Sequence, residues 1–116
     1  MRWPWTRRKD PRPEATVEGT LRFRFQHPAD PEALRKATRA GLKAAARSIA
    51  GKGAVRVTAD LEEGRLAHIA LSVRGPEADA ALHATAARAF VKTFRVRYRG
   101  VFATRELPEA LPPPEG

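Results

Sequence analysis

The chain has 116 residues, 22 of them lysine or arginine against 13 acidic ones, a formal net charge of +9, and no cysteine. This length predicts one small domain, and the lack of cysteine excludes disulfides, thiolate metal sites and cysteine nucleophiles. No apolar run approaches the roughly 18 residues of a membrane span. The lack of cysteine is compatible with the cytoplasm, which is the location we expect.

The excess of basic residues predicts an anionic partner, such as nucleic acid, an anionic lipid surface or an acidic protein face. Arginine, alanine, glycine and proline are all abundant, which is also typical of a GC-rich, bacterial-like genome. The placement of the charges is therefore more informative than their sum.

Residues 1–15 contain three prolines among several basic residues and are predicted to be a disordered arm. The arm has the chemistry to contact a membrane interface or a nucleic-acid backbone. Its prolines disfavour an amphipathic helix, which weakens the membrane alternative. The candidate contact residues are Trp3, Trp5, Arg7, Arg8 and Lys9.

A strand is predicted over 16–26, where large apolar residues alternate with arginine. Successive side chains of a strand point to opposite faces, so Phe23 and Phe25 point inward while Arg22 and Arg24 point outward. The following pair, His27 and Pro28, ends the strand, because proline cannot continue a ladder of backbone hydrogen bonds.

A helix is predicted over 31–50, with Asp30 as its N-cap and Pro31 at its first position. Apolar residues gather on one side, and the opposite side is basic. The run 51–53, with two glycines, ends this helix. The basic residues are Arg35, Lys36, Arg39, Lys43 and Arg47.

A hairpin follows, with alternating rows on both strands and a three-residue turn at 62–64. Pairing about Glu63 places Val57 beside Ile69 and Val55 beside Leu71, which brings the two apolar rows to the same face. The outward rows include Arg56 and Arg74.

A second helix is predicted to start at 75–77 with Pro76 near its first position. Beyond Thr93 three alternatives stay open: a continued helix, an early strand over 94–99, or a helix that Gly100 stops, with a strand over 101–106. The early strand is slightly favoured and would direct Arg95, Arg97 and Arg99 outward.

The predicted organisation is a single α+β domain over 16–106 and a disordered, proline-rich acidic tail over 107–116. The order strand-helix-strand-strand-helix-strand predicts a ferredoxin-like split βαβ sandwich, with a four-stranded antiparallel sheet and two helices on one face. In that fold the first and last strands are neighbours. Arg22 and Arg24 would then lie opposite the arginines of 94–99, a like-charge contact that needs an anion or an acid nearby.

The function expected from this pattern is a non-enzymatic protein-interaction or assembly module with a cationic sheet face, its partner a protein or a second copy. The alternative is an accessory nucleic-acid-binding domain that contacts phosphates through arginine. In both cases the contact residues would be Arg22, Arg24, Arg56, Arg74, Arg95, Arg97 and Arg99.

An enzyme is not expected, because the three histidines, His27, His68 and His83, share no motif and no carboxylates stand at metal or glycosidase spacing. We therefore predict no catalytic residues, no metal, no cofactor and no small-molecule substrate.

Overall fold

The computed structural model describes residues 14–102 and 108–111. These residues form a sheet with strand order β2-β3-β1-β4, antiparallel throughout, with the two helices packed on one face. This is the predicted ferredoxin-like split βαβ arrangement. Its elements are β1 Ala15–Arg24, α1 Pro31–Ser48, β2 Ala54–Glu62, β3 Leu66–Gly75, α2 Ala80–Phe102 and β4 Glu109–Leu111.

The first helix has the predicted start. Asp30 caps α1, its side chain accepting a hydrogen bond from the Ala33 N–H at 2.8 Å, and Pro31 opens the first turn. The helix ends at Ser48, two residues before the predicted end, and the chain reverses through Ala50 and Gly51, whose φ values are 45° and 81°.

The hairpin of β2 and β3 has the predicted inward rows in a different register. Val57 pairs with Leu71 and Val55 with Val73, so the register is shifted by two residues from the predicted pairing. The displacement follows from the loop, which comprises residues 63–65 instead of 62–64. Since a shift of two residues preserves the pleat, the apolar rows still share a face.

The second helix begins later than predicted, at Ala80, and Pro76 lies in the turn before it. Asp79 occupies the capping position and accepts a hydrogen bond from the Leu82 N–H at 2.8 Å. The Ala78 N–H bonds to the Gly75 carbonyl, which closes the intervening turn.

The favoured strand over 94–99 is wrong: these residues belong to α2, which passes Gly100 and continues to Phe102. Phe94 and Tyr98 extend the buried row of Phe90 at helical spacing, and all three rings are at most 1% exposed. A strand would have buried Val96, which is 63% exposed. The burial of three aromatic rings against the sheet favours a helix over a strand at 94–99.

The fourth strand also lies elsewhere than predicted. β4 pairs with β1 at Glu109–Leu111, inside the segment predicted to be a disordered tail, so that prediction is wrong for these residues. The alternative of a strand over 101–106 does not hold at 101 and 102, which are helical, and the remainder of that range lies outside the described residues. At the other end, Ala15 of the predicted arm begins β1, while residues 1–13 lie outside the described part.

The core lies between the helices and the inner face of the sheet, where aromatic rings join the layers. The ring centroids of Phe23 and Phe94 are 4.4 Å apart, and those of Phe25 and Tyr98 are 4.9 Å apart. The helices approach each other at Gly41, where a Cβ atom would lie 2.7 Å from the Phe90 ring. This close contact fixes the position of α2 beside α1.

Candidate anion-binding groove between the two helices

The sheet face that points away from the helices carries charges of both signs. Of the predicted site residues, four arginines lie here, and acidic residues are interspersed among them on the same rows. The described part of the sheet is therefore not a concentrated cationic surface, contrary to the prediction. The arginines are Arg22, Arg24, Arg56 and Arg74, and the acids are Glu18, Asp60, Glu62 and Glu109.

Two of these arginines form ion pairs, one with an acid on a neighbouring strand and one with Glu14, the residue before β1. Arg24 lies 3.9 Å from Glu109 on β4, and Arg74 lies 3.1 Å from Glu14. These pairs are exposed and contribute little to stability. They do neutralise much of the field that an anion would meet on this face.

The three remaining predicted arginines lie in the helix layer. Arg95 donates from Nε to the carbonyl of Pro108 at 2.6 Å, which ties α2 to the start of β4. Arg97 and Arg99 are exposed on α2. None of the three faces Arg22 or Arg24 across a ladder, so the expected like-charge contact does not arise.

A groove of about 610 Å³ runs along the outer surface between α1 and α2. Ala40 and Ala44 form part of its wall, and α2 contributes Thr93 and Arg97. Its lining contains five cations and no acidic residue. The other four cations are Lys36, Arg39, Lys43 and Arg47 of α1.

The helical repeat explains why the α1 cations form one row. Residues three or four positions apart lie on the same side of a helix, and the four α1 cations follow this spacing. The row is about 16 Å long at a rise of 1.5 Å per residue. Small buried residues on the adjacent side, including Ala37 and Gly41, let α2 come close enough to bring Arg97 to the same groove.

Glu32, at the first turn of α1, pairs with Arg35 at 2.6 Å and lies 3.9 Å from Lys36. Within residues 14–102 and 108–111, no ion pair involves Arg39, Lys43 or Arg97. These cations are therefore available to an external anion.

The excess of positive charge in the chain belongs to the two helices. The two helices contain ten of the 22 basic residues and only one of the 13 acidic residues. The twelve basic and twelve acidic residues elsewhere cancel, so the helices account for the formal net charge of +9. A charge concentrated on one layer produces a directional field that attracts polyanions.

The sequence had placed the α1 cations on one side of that helix without identifying them as a site. The sequence contained one further indication of a cationic helix layer: α2 has five basic residues and no acid. What the sequence did not show was that Arg97 is helical and therefore lies across the groove from the α1 row.

Two of the three histidines contact separate partners in the described residues. The His68 ring contacts the Glu62 carboxylate at 2.8 Å, and the His83 ring nitrogen lies 2.9 Å from the carbonyl of Leu71. Among the described residues there is no cluster of three or more histidine and acidic side chains that could hold a metal. No helix in this part of the chain is long and apolar enough to cross a membrane.

The candidate arm contacts, Trp3, Trp5, Arg7, Arg8 and Lys9, lie outside the described residues. Comparisons with protein-family models, with curated proteins and with solved structures found no match.

Proposed function

We propose that this protein binds double-helical nucleic acid through its phosphate backbone, at the groove between α1 and α2. The observation that carries the proposal is the lining of that groove by five cations from two helices without an acidic residue. Lysine and arginine bind phosphates as charge partners, and arginine adds paired hydrogen bonds. A duplex presents about nine phosphate charges over 16 Å of its axis, which is ample for five cations.

Among the side chains that the structure describes, no phenylalanine, tyrosine or tryptophan ring is exposed, which supports a duplex over a single strand. The aromatic side chains whose surroundings the structure describes are Phe23, Phe25, Phe90, Phe94 and Tyr98, and all are buried. Proteins that bind single strands without sequence preference stack bases on exposed aromatic rings. Phosphate contacts alone fix position but read no sequence, so binding is expected to be weakly sequence-selective.

The salt dependence of binding is the sharpest test, because each phosphate contact releases a counterion. Five contacts give a slope of about −4.5 for the logarithm of affinity against the logarithm of salt concentration. Replacing Arg39 and Lys43 by glutamine removes two contacts and is expected to reduce the slope to about −2.7. The measurement is fluorescence anisotropy at four or more salt concentrations, with a labelled duplex too short to reach more than one groove.

The matched control replaces two arginines of the sheet face, Arg24 and Arg74, by glutamine, which removes the same charge. We expect this control to leave the slope unchanged. An equal loss of slope in the control contradicts the groove as the site. Tighter binding of a single strand than of a duplex contradicts the choice of duplex, and no salt-sensitive binding of either rejects the function.

The predicted assembly role stays a second proposal, supported by a different surface: the outer edge of β2, which no other described element covers. It does not depend on a cationic sheet. A cytoplasmic location belongs to the nucleic-acid proposal, since binding requires a compartment that contains the ligand.

A further inference from the structure

The two edges of the sheet are protected to different degrees. β4 has three residues and follows the buried Pro108, whereas β2 has nine residues and no proline. Long edge strands present unpaired backbone groups that pair with another strand, and proteins usually block them with proline, bulges, short length or charged side chains. In the described part of the chain, β2 has no proline and no bulge and borders only β3, and its charged residues, Arg56, Asp60 and Glu62, are of both signs.

The inner face of β2 is also incompletely covered. Val55, Val57 and Leu61 are only partly buried, and Ala59 is exposed. An apolar groove of about 490 Å³ lies between this strand and α1, whose Leu34 and Leu42 contribute to its wall. Apolar residues that stay partly exposed at one edge of a core are typical of a protein–protein interface.

We propose that a second copy of this chain docks along β2, pairing the two β2 strands antiparallel about a two-fold axis through Thr58. A two-fold contact must be self-complementary. In this register all nine residues of β2 pair, Val55 faces Leu61 of the partner, and Arg56 faces Asp60 of the partner. The last pair occurs twice, once on each side of the axis.

The charges of β2 favour this register. Within one copy, Arg56 and Asp60 are four residues apart on the strand, about 13 Å, and cannot pair with each other. No ion pair among the described residues includes either of them. Opposite charges directly across an antiparallel pair are stabilising, and like charges are destabilising.

Other registers of the two β2 strands form less favourable side-chain pairs. Moving the axis by half a residue step would place the apolar row against the charged row, because side chains alternate between faces. An axis through Val57 places Arg56 opposite Thr58 and loses the charge pair. An axis through Ala59 pairs Arg56 with Glu62, which already contacts His68, and leaves Ala54 and Val55 unpaired.

A charge-swap experiment tests the register, with mass in solution measured by light scattering after gel filtration and by sedimentation. The wild-type chain is expected to have the mass of two chains. Arg56→Glu and Asp60→Arg each turn two attractive pairs into repulsive ones and are expected to weaken the dimer at least about tenfold. Equimolar mixing of the two variants restores both attractive pairs in a heterodimer, and the double variant Arg56→Glu/Asp60→Arg restores them in a homodimer.

The matched controls are Arg88→Glu and Glu77→Arg, which make the same charge changes at exposed positions away from β2 and are expected to leave the mass unchanged. Circular dichroism verifies that each variant is folded. A single-chain mass for the wild type at every concentration overturns the proposal. So does a two-chain mass that Arg56→Glu and Asp60→Arg leave intact.

A cross-linking measurement does not depend on these variants being stable. The chain lacks cysteine, so Thr58→Cys introduces the only thiol, at the proposed axis. Oxidation is expected to link two chains through this residue. Thr20→Cys, exposed on β1 of the same face, is the control and should remain single. Equal linking by both variants, or by neither, overturns the proposal.

Discussion

Gly41 on α1 offers a direct test of how the two helices are held together. A Cβ atom at this position would lie 2.7 Å from two carbon atoms of the Phe90 ring, closer than real Cβ contacts. Phe90 is fully buried, and its centroid is 5.6 Å from that of Phe94, so the ring has little room to move. Gly41→Ala therefore forces either the ring or the whole of α2 to shift.

Two effects of opposite sign set the magnitude. Overpacking a well-filled core costs about 1–3 kcal/mol, whereas alanine is favoured over glycine in a helix by about 1 kcal/mol. We expect Gly41→Ala to lower the free energy of unfolding by about 1 kcal/mol, measured by urea denaturation monitored by circular dichroism.

Two further variants separate these effects. Ala46→Gly, at an exposed position of α1, reports the propensity difference alone and should cost about 1 kcal/mol. In a Phe90→Leu background the smaller side chain should remove the clash, so that Gly41→Ala becomes neutral or stabilising. If Gly41→Ala instead stabilises the wild-type chain by the full propensity difference, the helices are not in the contact described, and the reasoning fails.

For three further substitutions, the loss in free energy of unfolding should follow the burial and hydrogen bonding of the side chain that is removed. The same denaturation assay measures this loss. Phe94→Ala removes a fully buried ring and should cost about 3–5 kcal/mol, a smaller loss indicating that 94–99 is not packed as α2. Asp30→Ala removes the cap on the Ala33 N–H and should cost about 1 kcal/mol, and Asp30→Asn should retain most of it. Glu109→Ala breaks only the exposed contact with Arg24 and should cost less than about 0.5 kcal/mol, a larger cost contradicting a surface role.

The fold could be predicted from local patterns because the apolar residues of most elements follow the periodicity of either a strand or a helix, but not both. The alternation in β1 fits only a strand, and α1 combines a cap, a first-turn proline and a 3.6-residue repeat. The order of the elements then left few arrangements of strands. The hairpin register was wrong by two residues because its loop position depends on which residues adopt positive φ, here Glu63 and Gly64.

The segment 94–99 could not be predicted because its residues satisfy both periods. Phe94 and Tyr98 lie on one side of a strand and also on one row of a helix. Only the preceding Phe90 distinguishes the two, since it joins that row in a helix that is already established. β4 was missed for another reason: three residues are too few to show an alternation.

The candidate site was missed because residues 94–99 were predicted to form a strand. Placing 94–99 in the sheet assigned Arg97 to the open face, and the cations of α1 then had no counterpart. Once 94–99 is helical, the arginine lies beside α1 and the sheet loses its excess of positive charge.

The groove and the β2 edge become related if both proposals hold. A two-fold axis perpendicular to the sheet keeps the open faces of both copies on one side, so both helix layers lie together on the other side. The two cationic grooves would then lie on the same surface of the dimer. A duplex long enough to reach both would engage twice as many cations, and binding at the first groove raises the effective concentration at the second. Since the salt slope follows the number of phosphates contacted, a dimer bound at both grooves would have a slope of about −9, which one groove of five cations cannot produce.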